Sequence, residues 1–190
     1  MYRKITIIIA ALLLCLSAHA QKAGETNARF SIGTDVVTWA NFGTCNLSMS
    51  LAAGRQYSIH LEGQYNPWEF KNAKGQFQNK KQNYNMTVRW WPWHVYSGWW
   101  TGLGAQYQEY NRGGIISQLT EEGDAVGLTV NGGYTLMLTT YFNLDFSIGL
   151  WGGYKWYTEY SCPKCGRILD QGRKMFFNIN DISIALVFVF

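Results

Sequence analysis

Ile182-Ser183-Ile184-Ala185-Leu186-Val187-Phe188-Val189-Phe190 ends the sequence, and its reading decides the fold. Large apolar residues at 182, 184, 186, 188 and 190 alternate with Ser183, Ala185, Val187 and Val189. A period of two sends successive side chains to opposite faces of a strand. One face is therefore large and apolar, the other mostly small. The same alternation recurs upstream. Phe30, Ile32, Thr34 and Val36 oppose Ser31, Gly33 and Asp35, and Cys45, Leu47, Met49 and Leu51 oppose Asn46, Ser48 and Ser50. Tyr57 to Tyr65, Tyr84 to Trp91, Trp99 to Gln108, Val126 to Thr135 and Phe142 to Leu150 repeat it. With the terminal segment these make about eight strands, an even number, each near the roughly 9–11 residues that cross a bilayer.

A strand that is apolar on one face and ends on an aromatic resembles the insertion signal of bacterial outer-membrane proteins. Ile182, Ile184, Leu186, Phe188 and Phe190 form that expected signal, to be read by the barrel assembly machinery. The opposite end agrees. Arg3 and Lys4 precede the apolar run Ile5–Leu16, and Ala18-His19-Ala20 has the small-x-small cleavage pattern, so residues 1–20 are expected to be a signal peptide. Residues 21–28 then form a periplasmic lead-in and 29–190 the barrel domain. The fold class expected is all-β: an eight-stranded antiparallel transmembrane up-and-down β-barrel with a filled lumen, in the bacterial outer membrane. Short turns at Gly54-Arg55, Pro92–Tyr96 and Thr139-Thr140 alternate with long polar stretches at Asn66–Gln82, Asn111–Gly123 and Ser161–Arg173. The long stretches are expected as surface loops, and Ala40–Gly43 as the one short surface turn.

Composition fits this class. The chain carries 16 Lys+Arg against 12 Asp+Glu. Taking out Arg3 and Lys4 leaves 14 against 12, which is no nucleic-acid footprint. Nine Trp and twelve Tyr are many for 190 residues, and membrane interfaces use both as belts. A soluble lipocalin-like ligand binder is the alternative with the same alternation, its apolar face turned inward. Alternation alone does not distinguish inside from outside.

The polar faces supply Asp35, His60, Glu62, Arg89, Asp145 and Asp181, expected to form a hydrogen-bonded lumen network with Arg89 beside Glu62. Buried charges need partners. Gly102-Leu103-Gly104 lies within a strand and lacks the third glycine of a nucleotide loop. Cys162-Pro163-Lys164-Cys165 has the knuckle shape of half a zinc site, but no second pair exists, so a local disulfide is expected rather than a metal. Lys71, Lys74, Lys80, Lys81, Arg167, Arg173 and Lys174 crowd the first and last loops and suit lipopolysaccharide phosphates. Trp68, Tyr110, Tyr157 and Tyr160 are expected to anchor a partner protein. His60 and Glu62 share a face and are the one acid–base pair available to a lipid-A-modifying enzyme, the second functional alternative.

Tyr65-Asn66-Pro67-Trp68, Arg89-Trp90-Trp91, Tyr110-Asn111-Arg112-Gly113-Gly114 and Cys162-Pro163-Lys164-Cys165-Gly166 together resemble the Bacteroidota domain of unknown function 3575. The resemblance covers essentially the mature chain. It implies a small outer-membrane barrel without established activity, with no catalytic residues and no cofactor to carry over. Some members resemble components of fimbrial or surface-assembly gene sets. The expectation is a non-enzymatic anchor or docking protein for another envelope component, such as a fimbrial or adhesin protein.

Overall fold

The computed structural model describes residues 29–72, 75–114, 119–161 and 166–190. The expected signal peptide, the lead-in and both Cys162 and Cys165 lie outside the described residues. The fold is all-β and antiparallel, with one short helix. The elements are β1 (Phe30–Asp35), α1 (Val36–Ala40), β2 (Cys45–Ala52), β3 (Tyr57–Asn66), β4 (Glu69–Asn72), β5 (Gly75–Trp90), β6 (Gly98–Gly113), β7 (Thr120–Met137), β8 (Phe142–Tyr160) and β9 (Ile168–Val189). Each strand pairs with its sequence neighbour. β1 also pairs with β9 and β3 with β5, which closes eight strands into a ring with β4 outside it.

The register fixes the ring's shape. Ile32 lies across from Met49, then the row runs through Leu61, Met86, Ala105, Leu128 and Gly152 to Phe177. On its other side Ile32 faces Phe188, eleven positions further along β9. One of those positions is taken up by a bulge at Gly149/Leu150. Ten residues of about 3.3 Å along the strand for about 38 Å across eight strands give a tilt of about 41°, inside the usual range for closed sheets.

The faces answer the question that alternation left open. Apolar side chains point out: Leu128 is 72%, Phe177 71% and Leu103 68% exposed. Polar ones point in: Thr87 and Thr129 are 1% and Gln106 2% exposed. Ile182, Ile184, Leu186, Phe188 and Phe190, the expected insertion signal, are all on the outer face, with Ala185 and Val189 inside. A soluble lipocalin-like arrangement, apolar inside, is not what this ring presents.

Two expectations are corrected. The stretches read as long surface loops are mostly strand. β5 to β9 run well past the expected ends, and Glu69–Asn72 folds back on Gly75–Gln78 as a hairpin. Polar residues on both faces hid these extensions, because a strand that meets water on both sides has no alternation to read. The first strand was expected to include Val36, but it stops at Asp35. The Asp35 carboxylate accepts from the N–H groups of Val37 and Thr38 and from the Thr38 hydroxyl, which caps α1.

Candidate functional site

The interior of the ring is stacked in layers, and each layer is built from inward positions of several strands. At the end with the short turns the floor is aromatic. Trp91, Tyr96, Trp100 and Val189 pack together, and Trp91 Nε1 donates to Ser58 Oγ at 3.0 Å. The turn after β5 places Tyr96 there with φ of 69°, and its hydroxyl donates to the Ser50 carbonyl at 3.1 Å. Of the tryptophans near this floor, Trp90, Trp93 and Trp99 are exposed, whereas Trp91 and Trp100 are buried.

Above the floor sits the ion pair. Arg89 Nη1 lies 2.9 Å from Asp145 Oδ2, on strands far apart in sequence. The other carboxylate oxygen of Asp145 accepts from Trp100 Nε1 at 2.8 Å and from Thr135 Oγ1 at 2.7 Å. The guanidinium stacks over the Trp100 ring, 3.8 Å from its centroid. The carboxylate thus has three donors, whereas the guanidinium has one carboxylate bond and an aromatic face, its Nε left without a hydrogen-bond partner. Arg89 was expected to pair with Glu62 on the adjacent strand, and the correction is geometric. Arg89 lies opposite Ser58 on β3, four positions from Glu62, and its chain reaches across the lumen instead.

The next layer is made of amides. Gln106 and Asn180 exchange two hydrogen bonds, at 3.0 and 2.8 Å, tying β6 to β9 across the interior. Asn131 donates to Thr87 and Thr87 to Asn85. Glu62 accepts from Gln64 Nε2 at 2.7 Å. His60 is half-buried on the same face, and its Nδ1 has no hydrogen-bond partner. His60 and Glu62 are therefore neighbours on a face but not a bonded acid–base pair. Asp35, counted with this network from its place in the alternation, leaves it to cap α1 and to accept from the Ile184 N–H at 2.9 Å. The Asp181 side chain lies outside the described residues. A polar cavity of about 100 Å³ remains between Thr38, Glu62, Gln64, Asn83 and Asn180, room for about three waters. No group of three or more His, Cys, Asp and Glu side chains is gathered among the described residues.

Beyond the row Tyr84–Tyr107–Val126–Tyr154, the strand extensions carry a second network. Glu121 accepts from the Tyr110 hydroxyl and from Lys155 Nζ, both at 2.7 Å, and from Arg112 at 3.4 Å. Burial opposes ionisation of Glu121, but the bonds from Lys155 and Tyr110 outweigh it and hold the carboxyl below its ordinary value. Burial and the bond to Glu121 push the Tyr110 hydroxyl well up. Tyr110 packs with Ala125 and Trp151 and is 5% exposed. It was expected on a docking surface, and its burial removes it from one.

Of the other expected docking residues, Trp68 is 47% exposed, its Nε1 donating to the Gly43 carbonyl at 2.9 Å. Tyr157 and Tyr160 are half-buried, donating to Asp170 and Glu122. Trp68 stands by the turn after α1, and the two tyrosines stand on β8, so they do not share one patch. An aromatic group that sequence reading missed lies beside Trp68. Phe42, with φ of 54°, meets the rings of Phe70 and Phe77, which stack at 5.2 Å. Phe42 and Phe70 belong to segments without strand period, so no pattern announced them.

No curated protein matches this sequence. A family model does match, over residues 6–190, essentially the whole chain. The chain therefore belongs to the family described as Protein of unknown function (DUF3575).

Proposed function

We propose that this protein is an integral outer-membrane β-barrel without enzymatic activity, serving as a surface anchor or docking protein for another envelope component. The observation that carries the membrane reading is the reversal of faces: apolar out, hydrogen-bonded polar in. A sheet in water does the opposite, because exposed apolar area costs about 25 cal/mol per Å².

The aromatic rows supply the dimensions. Tyr57 and Tyr65 on β3, Trp99 and Tyr107 on β6, and Phe146 and Tyr154 on β8 are each eight residues apart. At about 3.3 Å per residue and about 41° of tilt that is about 20 Å, close to the roughly 25 Å apolar band of such barrels. Beyond the second row stand Glu109, Arg112, Glu121, Glu122 and Lys155, which suit a watery side. Arg89, Trp91 and Trp100 fill the cross-section, which favours an anchor over a pore. Arg167, Arg173 and Lys174 are exposed at the far end, where lipopolysaccharide phosphates would lie.

The test is fractionation of cells making the tagged chain. The protein is expected with the outer membrane, migrating faster on gels when unboiled. Recovery from the soluble periplasm without a heat-dependent shift would overturn the membrane reading. Deletion of residues 162–165 is expected to weaken retention of a stoichiometric companion, and unchanged retention would remove that loop from the docking role.

A further inference from the structure

The ring wall is uneven. β1 pairs with β9 only from Asp35–Ala185 down to Ser31–Val189. From Ile168 to Ser183, sixteen residues or about 50 Å of strand, β9 has β8 on one side and no described strand on the other. α1 packs against β9 and β2, but five residues of helix span only about 7.5 Å. Every residue from Ile168 to Met175 is exposed, on both faces, although the β8 partners Tyr157–Tyr160 are half-buried. Lower on the edge, Phe177, Ile179 and Ile182 are 71%, 64% and 59% exposed.

Among the described residues no strand pairs with the backbone on this side. The Ile184 N–H faces the gap, where the Asp35 carboxylate takes it. Ladder alternation, rephased by the bulge at Gly149/Leu150, turns the N–H and C=O groups of Met175, Phe177 and Ile179 the same way. Phe177 and Ile179 lie on the apolar side of the Tyr154–Met175 pair. Lipid offers no hydrogen bonds, and open sheet edges do not persist in hydrocarbon.

We propose that the β9 edge from Ile168 to Ile182 receives an extended segment of another polypeptide, added antiparallel as a further strand. The inference rests on the membrane-anchor reading and names its docking surface. Main-chain bonds give such an interface its affinity, and side chains give it specificity. The upper edge carries Arg167, Arg173 and Lys174, while Asp170 is engaged by the Tyr157 hydroxyl, so the segment is acidic there. Opposite Met175, Phe177 and Ile179 it is apolar on its outer side. A second copy does not fit. Two copies inserted in the same sense carry β9 in the same direction, so antiparallel pairing would need one of them inverted. The other edge strand among the described residues, β4, offers only four residues and carries Lys71.

The experiment places a benzophenone amino acid in turn at positions 175, 177 and 128 of the full chain in intact cells. Leu128 is equally exposed but lies on a strand paired on both sides. Position 128 is expected to label lipid alone. Positions 175 and 177 are expected to label one polypeptide at sites two residues apart, in reversed order, within an acidic segment. Met175→Pro removes an N–H that β8 does not use and should abolish the adduct at 177, with the heat-dependent gel shift retained. Lys174→Glu should lower the adduct yield. Lipid adducts alone at 175 and 177, self-adducts, or an adduct insensitive to Met175→Pro would overturn the proposal. Absence of lipid labelling at 128 would instead indict the membrane reading.

Discussion

Replacing Asp145 by Ala tests the interior ion pair at its centre. Asp145 is the acceptor for Arg89 at 2.9 Å, Trp100 at 2.8 Å and Thr135 at 2.7 Å, and both charged side chains are about nine-tenths buried. Removal strands the guanidinium. Breaking a buried pair from one side costs about 3–5 kcal/mol, chiefly through the unpaired charge that remains. The orphaned Trp100 and Thr135 donors add to this, less than additively because all three share one acceptor. Asp145→Asn keeps an acceptor for Trp100 and should fall between Ala and wild type. The double variant Arg89→Met with Asp145→Leu removes both charges and fills the space, so it should lie within about 1–2 kcal/mol of wild type. Urea unfolding in lipid vesicles followed by tryptophan fluorescence measures all three. If Asp145→Ala costs under about 1 kcal/mol, or the double variant is as unstable as the single one, the lumen is wet enough to screen the charges and the dry-network reasoning fails.

Asp35→Ala should cost about 1–2 kcal/mol in the same assay through loss of the α1 cap and the Ile184 partner, while Asp35→Asn, which keeps one of the two acceptor oxygens, should fall between Ala and wild type. At Gly123 a Cβ would run into the Trp156 carbonyl, so Gly123→Ala should lower folding yield in vesicles, whereas Gly63→Ala, with open space around it, should fold normally. The Glu121 carboxyl is held low, so its stabilisation of the β6–β8 extensions is present above the ordinary carboxylate range near pH 4.3. It should disappear as pH falls through the lowered value, read as faster protease cleavage beyond Tyr107 that Glu121→Gln shows at neutral pH. Under denaturing conditions the mature oxidised chain should take up one maleimide, at Cys45, and three after reduction. Three before reduction would exclude a disulfide between Cys162 and Cys165.

The ring was legible in the sequence wherever one strand face meets a different medium from the other. Leu61 and Met86 against Glu62 and Asn85 give a clean period of two, and the pairing follows the expected order. Where both faces meet the same medium the period vanishes, which is why Thr120–Gly123 and Ile168–Arg173 read as loop. The inward residues were identifiable by face, but not their partners. Arg89 and Asp145 are 56 residues apart and meet through the curvature of the ring, a property of strand number and stagger rather than of local pattern. The change from strand to helix at Asp35 depends on the same closure. The aspartate is an ordinary inward residue until the missing neighbour of Ile184 gives it a second task.

The alternation that separates the faces also dilutes apolar residues along the chain, whose mean hydropathy is −0.15 although 47% of its residues are hydrophobic. No helix among the described residues is long and apolar enough to cross a membrane. Among the described residues, then, there is no helix that a helix-sorting translocation channel would release sideways into lipid. The chain's apolar surface exists only once distant strands are side by side, so on the reading proposed above it would cross one membrane as a polar thread and become greasy only at the next.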